Sequence, residues 1–125
     1  MKLSNLSIVA ILSLSSSIAD AECLPWGPIG FRTAARRMTR GICTTIIGQG
    51  AFRPYEARNA CQATDNIHWD FKVESLTRDV RSLTLSRCME YMQIGLRNCQ
   101  AGDDSSYSDI GWRFVSDANT SMTCD

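Results

Sequence analysis

Six cysteines constrain this 125-residue chain more than any other feature of its sequence. They extend over most of its length, at Cys23, Cys43, Cys61, Cys88, Cys99 and Cys124. An even number of cysteines in a short chain is typical of a small domain cross-linked by disulfides. A zinc site is disfavoured, because the chain has no CxxC pair and a single histidine, His68. We therefore expect three intramolecular disulfides and no metal or cofactor, although the spacing does not choose among the many possible pairings.

The start of the chain has the pattern of a secretory signal peptide. Lys2 provides a positive charge, residues 6–18 form an apolar run interrupted only by serines, and Ala19 and Ala21 provide the small residues that signal peptidase requires. The apolar run is too short to span a bilayer. We predict a signal peptide over residues 1–21 and a single secreted, extracellular domain over residues 22–125, in surroundings that preserve disulfides.

The charge of the chain is balanced overall but unevenly distributed. Its 13 basic and 13 acidic residues give a formal net charge of zero, which argues against nucleic acid or an anionic membrane as a partner. One group of arginines has spacings that bring side chains together on a helix: Arg32, Arg36, Arg37 and Arg40. Two interpretations remain open. These arginines form a partner-binding surface, or they pair with acidic residues elsewhere, such as Asp103 and Asp104.

Two segments have the apolar periodicity of amphipathic helices. The first predicted helix covers residues 33–47, and its apolar side consists of Ala34, Ala35, Met38 and Ile42. The second covers residues 85–98, and its longer apolar stripe consists of Leu85, Cys88, Met89, Met92 and Leu96. Because Cys43 and Cys88 each lie on the core-facing stripe of their helix, we expect them to attach the helices to the sheet or to flanking strands.

Alternating polarity predicts the strands. Over residues 67–74, the apolar residues Ile67, Trp69, Phe71 and Val73 alternate with His68, Asp70, Lys72 and Glu74. This pattern predicts an antiparallel strand with one buried face and one polar face. Residues 110–116 alternate in a similar way, and residues 55–63 are a weaker candidate. Residues 101–108 are rich in Gly, Asp and Ser and are interpreted as a loop.

These elements predict an α+β fold, namely a small disulfide-stapled sandwich in which two helices pack on an antiparallel sheet of about four strands. The expected core consists of Trp69, Phe71, Met89, Met92, Trp112 and Phe114. Burial of two tryptophans in this core leaves Trp26, which lies between two prolines, as the tryptophan most available to stack on a sugar.

The sequence contains few candidates for catalysis. His68, on the polar side of its predicted strand, could act as a general acid or base, and with Glu74 it would form the centre of a ribonuclease-like hydrolase. The alternative is a solvated strand face without a catalytic role. A serine nucleophile is disfavoured because the sequence contains no Gly-x-Ser-x-Gly motif. A cysteine nucleophile is disfavoured because no free thiol remains if all six cysteines are paired. We therefore expect no catalytic residues and no enzyme activity.

Residues Asn119-Thr120-Ser121 form an N-glycosylation sequon close to the last cysteine. The motif predicts that Asn119 is accessible on the surface of a secreted glycoprotein.

The cysteine spacing and the C-terminal motif also support a family resemblance. Residues 83–88, Leu-Thr-Leu-Ser-Arg-Cys, follow the strand predicted over residues 67–74. Cys99 comes next, and residues 112–119, Trp-Arg-Phe-Val-Ser-Asp-Ala-Asn, precede Cys124. From about residue 33 to Cys124 the chain resembles the small secreted cysteine-rich proteins of filamentous fungi. Many of those proteins end in an aromatic strand, an Asp-Pro-Asn-like turn and a final cysteine, and Ala118 takes the place of that proline here.

The resemblance carries expectations for fold and function. Some of these fungal proteins are similar to the killer-toxin α/β sandwich of fungal viruses, which has a four-stranded antiparallel sheet and two helices. The resemblance implies a non-enzymatic, virulence-related effector or toxin-like protein that acts as a monomer by binding a host protein or glycan. It supplies no catalytic residues. The alternatives are the ribonuclease-like hydrolase centred on His68 and Glu74, and a cell-wall glycan binder that uses Trp26 and nearby arginines.

Overall fold

The computed structural model describes residues 23–25, 32–63, 67–99, 101–121 and 123–124. The predicted signal peptide and Trp26 lie outside the described residues. The elements follow one another as α1 (Arg32–Ile47), β1 (Ala57–Ala63), β2 (His68–Ser75), α2 (Leu85–Asn98), β3 (Gly102–Tyr107) and β4 (Trp112–Asn119). The two helices pack against one four-stranded antiparallel sheet, which confirms the predicted α+β fold. In this part of the chain, no helix has the length and apolar character needed to span a membrane.

The sheet has the strand order β1-β2-β4-β3, so the two most regular strands lie at its centre. Every neighbouring pair is antiparallel, and β2 pairs with β4 over the whole length of both strands. Alternation turns Trp69, Phe71 and Val73 of β2 towards the helices, together with Trp112 and Phe114 of β4. The opposite face, called here the open face of the sheet, carries the polar residues of the same strands.

Strand β3 was not expected, because residues 101–108 have the composition of a loop. Its backbone nevertheless pairs with β4, and Tyr107 lies opposite Trp112. The side chains of Asp103, Ser105 and Tyr107 point inward and are buried. The Ser105 hydroxyl donates to the Asp103 carboxylate, with Oγ 2.6 Å from Oδ2, which offsets part of the cost of burying the two polar side chains. Pairing and this internal hydrogen bond override the weak intrinsic strand preference of Asp and Ser.

Both helices begin and end close to the predicted positions. Thr84 caps the start of α2, where its hydroxyl oxygen accepts a hydrogen bond from the backbone N–H of Arg87 at 3.1 Å. The buried stripe of α2 consists of Cys88, Met92, Gly95 and Leu96. That of α1 consists of Ala35, Thr39, Ile42, Cys43 and Ile46, with Met38 only partly buried. The Thr39 hydroxyl donates to the carbonyl of Arg36 at 2.6 Å, which allows a polar residue within this stripe.

The six cysteines form three disulfides and leave no free thiol, as predicted. The pairs are Cys23–Cys99, Cys43–Cys88 and Cys61–Cys124. The expectation that Cys43 and Cys88 attach the helices to the sheet is wrong. They join the helices to each other, because each lies on the face of its helix that meets the other helix.

The predicted core is confirmed with one adjustment. Trp69 and Trp112 are 0% and 1% exposed, whereas Met89 is only partly buried. Phe52, from the loop before β1, packs edge-on against Trp112 at a centroid distance of 4.9 Å. Both strand tryptophans are therefore structural and cannot stack on a sugar.

Candidate functional site

The first candidate site is the arginine face, defined here as Arg36, Arg37 and Arg40 on the outer side of α1. All three side chains are exposed, because the opposite side of the helix holds the buried stripe. No ion pair to any of the three occurs among the described residues. The side chain of Arg32, the fourth predicted member, lies outside the described part of the structure.

The acids proposed as internal partners are engaged elsewhere. Asp104 accepts two hydrogen bonds from Arg113, at 2.7 Å from Nε and 2.6 Å from Nη2. These bonds hold the pKa of Asp104 below its usual value. Asp103, a residue of β3, is 3% exposed, and its inward carboxylate accepts a hydrogen bond from the Ser105 hydroxyl at 2.8 Å. The interpretation in which Asp104 neutralises the helix arginines is therefore wrong, and the arginine face stays available to solvent.

The surface that continues the arginine face along α1 carries small side chains. One turn further on, Gly41, Thr44 and Thr45 are exposed. The two threonine hydroxyls donate back to main-chain carbonyls at 2.7 and 3.0 Å, so they do not project as free donors. Nothing lies within 4 Å of the position that a Gly41 side chain would occupy. A partner can therefore approach the helix backbone closely beside the arginines.

The second candidate site is a polar cluster on the open face of the sheet, around His68. The side chain of His68 is 12% exposed. Its Nδ1 lies 2.8 Å from the carbonyl oxygen of Ser121, and its Nε2 lies 3.0 Å from Asp70 Oδ2. Both neighbours are hydrogen-bond acceptors, so the two contacts together favour the protonated ring. The hydrogen bond to Ser121 is the main cause that raises the pKa of His68, and Asp70 adds to it, whereas burial opposes it.

Two residues of β4 complete this cluster. Asn119 lies opposite His68 and Asp117 lies opposite Asp70 in the register of the strands. Asn119 Nδ2 donates to Asp70 Oδ2 at 2.6 Å and to the carbonyl of Asp117 at 3.3 Å. Burial is the main cause that raises the pKa of Asp117, and the nearby charge of Asp70 acts in the same direction. Asn119 is half-buried with its amide engaged, and its glycosylation remains a prediction.

The structure does not bring His68 and Glu74 together. They point to the same face of β2 but are six residues apart, which is about 20 Å along a strand. Glu74 accepts a hydrogen bond from Arg113 at 2.9 Å and belongs to the ion-pair network with Asp104. Two groups so far apart cannot act on the same bond, so the geometry does not favour the ribonuclease-like pairing.

The cluster around His68 also contains a disulfide. Potential ligand atoms of Cys61, His68 and Asp70 all lie within 4.8 Å of one another. The sulfur of Cys61 is bonded to that of Cys124, so in the oxidised protein it is not a thiolate and the set is not a metal site.

Sequence reasoning missed Asp117, Asn119 and Cys124 as members of this cluster. A strand predicted only to residue 116 ends before Asp117 and Asn119, whereas β4 continues to Asn119. Extending the alternation of residues 112–116 by three residues would have placed both on the polar face. No local signal links Cys124 to Cys61, because they are 63 residues apart in the sequence.

Comparison of the chain with models of protein families and with curated proteins finds no match. The resemblance to fungal secreted proteins is therefore still a prediction.

Proposed function

We propose that the protein is a secreted, effector- or toxin-like protein of a fungus that acts as a monomer by binding a host protein or glycan, without catalysing a reaction. The resemblance and the predicted signal peptide motivate the fungal and secretory parts of this proposal. Three disulfides in a small fold are compatible with an oxidising space. The observation that carries the binding function is the arginine face, an exposed group of like charges without an internal partner in the described structure.

The arginine face concentrates positive charge in a chain with no net charge. Arg36 and Arg40 are one helical turn apart, about 6 Å along the axis, and Arg37 lies beside them. Like charges at this spacing repel one another, which slightly destabilises the isolated helix. Guanidinium groups are planar and bind carboxylate, sulfate or phosphate groups through paired hydrogen bonds. An acidic protein surface or an anionic glycan on the host partner would relieve this repulsion.

The enzymatic alternative and the glycan-stacking alternative gain no specific support. His68 and Glu74 lie at opposite ends of β2, and two of the three tryptophans are in the core. Trp26 lies outside the described residues. A binding function through the arginine face therefore accounts for more of the described surface than either alternative.

The test compares two variants that change the formal charge equally. In the face variant, Arg36, Arg37 and Arg40 are replaced by Gln. In the control variant, three other exposed arginines of the described structure are replaced by Gln: Arg53, Arg78 and Arg87. Each oxidised, immobilised protein is used to capture partners from extracts of candidate host tissue at low and high salt.

We expect the original chain and the control variant to retain the same partner, and the face variant to lose it. The difference should shrink as salt screens the charges. Equal retention by all three proteins, or equal loss by both variants, would show that the arginine face is not the binding site. Cleavage of RNA by the original chain but not by a His68→Ala variant would contradict the non-enzymatic part of the proposal.

A further inference from the structure

The open face of the sheet holds the parts of a second, conditional site. We propose that reduction of the Cys61–Cys124 disulfide converts this corner of the protein into a Zn²⁺ site formed by Cys61, Cys124, His68 and Asp70. This inference does not depend on the proposed host-binding function, because it uses a different surface.

Three of the four ligands are already placed by the sheet. Cys61 of β1 lies directly opposite Asp70 of β2, and His68 lies two residues away on the same face. Their ligand atoms are within 4.8 Å of one another. A tetrahedral zinc ion with bonds of about 2.0–2.3 Å requires ligand atoms roughly 3.5 Å apart. Shifts of about 1 Å would therefore close the site.

The fourth ligand comes from the C-terminal segment. The sulfur of Cys124 is bonded to that of Cys61, with the Cα atoms 5.8 Å apart. After reduction the two sulfurs need to separate only to the ligand spacing of a tetrahedral site. Two thiolates, one imidazole and one carboxylate are a donor set that suits zinc.

The surrounding hydrogen bonds already orient the ligands as in a metal site. Ser121 holds His68 through Nδ1, which directs Nε2 towards Asp70. A histidine ligand typically makes this kind of outer hydrogen bond through the nitrogen that does not bind the metal. Asn119 fixes the carboxylate of Asp70 in the same way. The metal would take the place of the proton that Nε2 shares with Asp70.

Exposure makes this disulfide the one that a reductant reaches first. Cys124 is exposed and Cys61 is half-buried. By contrast, Cys43 and Cys88 are both 0% exposed, and in the third disulfide Cys23 is exposed but its partner Cys99 is 3% exposed, so only Cys61–Cys124 has both cysteines at least partly exposed. The two other disulfides lie within or beside the core, so mild reduction should leave the fold intact.

The chemical step is a two-electron reduction followed by metal binding. With a phosphine and water, two electrons pass from phosphorus to the disulfide, and the S–S bond breaks. The water oxygen ends on phosphorus, and its two protons end on the two sulfurs. Binding of Zn²⁺ then releases these protons and any proton on His68 Nε2. In an oxidising space the site stays closed, whereas a reducing compartment would open it.

The experiment uses Co²⁺ as a spectroscopic probe in the full chain. The oxidised protein is treated with a limited amount of phosphine and freed of excess reagent without oxygen. Alkylation and mass mapping then identify the opened disulfide. Co²⁺ is titrated, the absorption spectrum is recorded, and Zn²⁺ is added to displace it. Near-ultraviolet circular dichroism reports whether the core remains packed.

We expect Cys61 and Cys124 to be the alkylated pair, and Co²⁺ to give sulfur-to-metal charge transfer with a tetrahedral visible spectrum in the reduced protein only. His68→Ala and Asp70→Asn should each weaken binding at least about tenfold. The matched control Asp79→Asn, which removes an exposed carboxylate in the loop after the other end of β2 from His68, should bind as the original does.

Several results would overturn the proposal. These are reduction of another disulfide first, a cobalt spectrum without sulfur ligation, and equal binding by the oxidised chain. Unchanged affinity in both ligand variants would have the same meaning. Loss of the near-ultraviolet signal on mild reduction, without recovery when Zn²⁺ is added, would also overturn it, because the four ligands would then not be held by the fold.

Discussion

Arg58 of β1 donates a hydrogen bond from Nη1 to the carbonyl oxygen of Ile46, near the C-terminal end of α1, at 2.8 Å. The guanidinium also donates to the carbonyls of Gly50 and Ala51 and to the carboxylate of Glu56. All five N–H groups of the Arg58 guanidinium thus have acceptors. Its central carbon, Cζ, lies 3.9 Å from the centre of the Phe52 ring. This buried arginine joins the end of the helix, the following loop and the edge of the sheet.

Replacing Arg58 with Lys should lower the free energy of unfolding by about 2–4 kcal/mol. An ammonium group has no planar fork and cannot reach all of these acceptors, so buried carbonyls would lose their donors. Urea unfolding of the oxidised protein measures the loss. Arg53→Lys, on the exposed loop nearby, is the control and should change stability by less than about 0.5 kcal/mol. Equal effects of the two substitutions would contradict a structural role for Arg58.

Removing the helix-to-helix disulfide should cost more than removing the one on the open face. The loops closed by Cys43–Cys88 and Cys61–Cys124 span 45 and 63 residues, so the chain-entropy model predicts contributions that differ by only about 0.3 kcal/mol. Cys43 and Cys88 are fully buried, however, and their loss also removes core packing. We expect Cys43→Ala/Cys88→Ala to unfold at clearly lower urea concentration than Cys61→Ala/Cys124→Ala. The reverse order would mean that packing around the helix pair contributes little.

Asp104 should contribute stability that disappears in acid. Hydrogen bonds from Arg113 are the main cause that lowers its pKa, burial opposes them, and Lys72 assists. Because the pKa of Asp104 is lower in the folded than in the unfolded chain, the contribution is complete above the unfolded value. It is lost as pH falls through the folded value.

This contribution is measurable as a difference between two proteins. The free energy of unfolding of the original chain should exceed that of Asp104→Asn by about 1 kcal/mol near neutral pH, and the difference should shrink in acid and vanish once Asp104 is protonated in the folded chain. Asp79→Asn, which removes an exposed carboxylate that forms no ion pair among the described residues, is the control and should change the free energy of unfolding by less than about 0.5 kcal/mol near neutral pH. A gap between the original chain and Asp104→Asn that stays constant down to the lowest pH would refute the assignment.

Gly111 should tolerate a side chain less well than Gly50. Both have positive φ, +74° and +90°, which disfavours any residue with a Cβ atom. At Gly111 the added carbon would also collide with Arg81, whose guanidinium donates to the carbonyl of Ile110 at 2.7 Å, whereas Gly50 has open space around it. We expect losses of about 1 kcal/mol for Gly50→Ala and about 2–3 kcal/mol for Gly111→Ala. Equal losses of stability in thermal unfolding would show that the Arg81 side chain can move aside without destabilising the fold.

Local patterns in the sequence predicted the elements in which the polarity of each residue matches its burial in the fold. The alternation of Trp69, Phe71 and Val73 with charged neighbours identified β2, and the apolar stripe of residues 85–96 identified α2. Strand β3 was missed, because its inward residues include Asp103 and Ser105, which are acceptable inside only once they pair with each other. The role of Arg58 was also missed, because nothing in a short polar run of sequence indicates that an arginine will be buried among carbonyl acceptors.

The sequence by itself determined that the described part of this chain has a small, disulfide-linked α+β fold, because periodicity and an even number of cysteines depend only on neighbouring residues and on counting. Tertiary structure alone decided which cysteines pair, that Arg36, Arg37 and Arg40 form no ion pair in the described part, and that Asn119 and the Cys61–Cys124 disulfide lie beside His68 and Asp70. These relationships join residues tens of positions apart. They exist only when strand register and helix packing bring the residues to the same place.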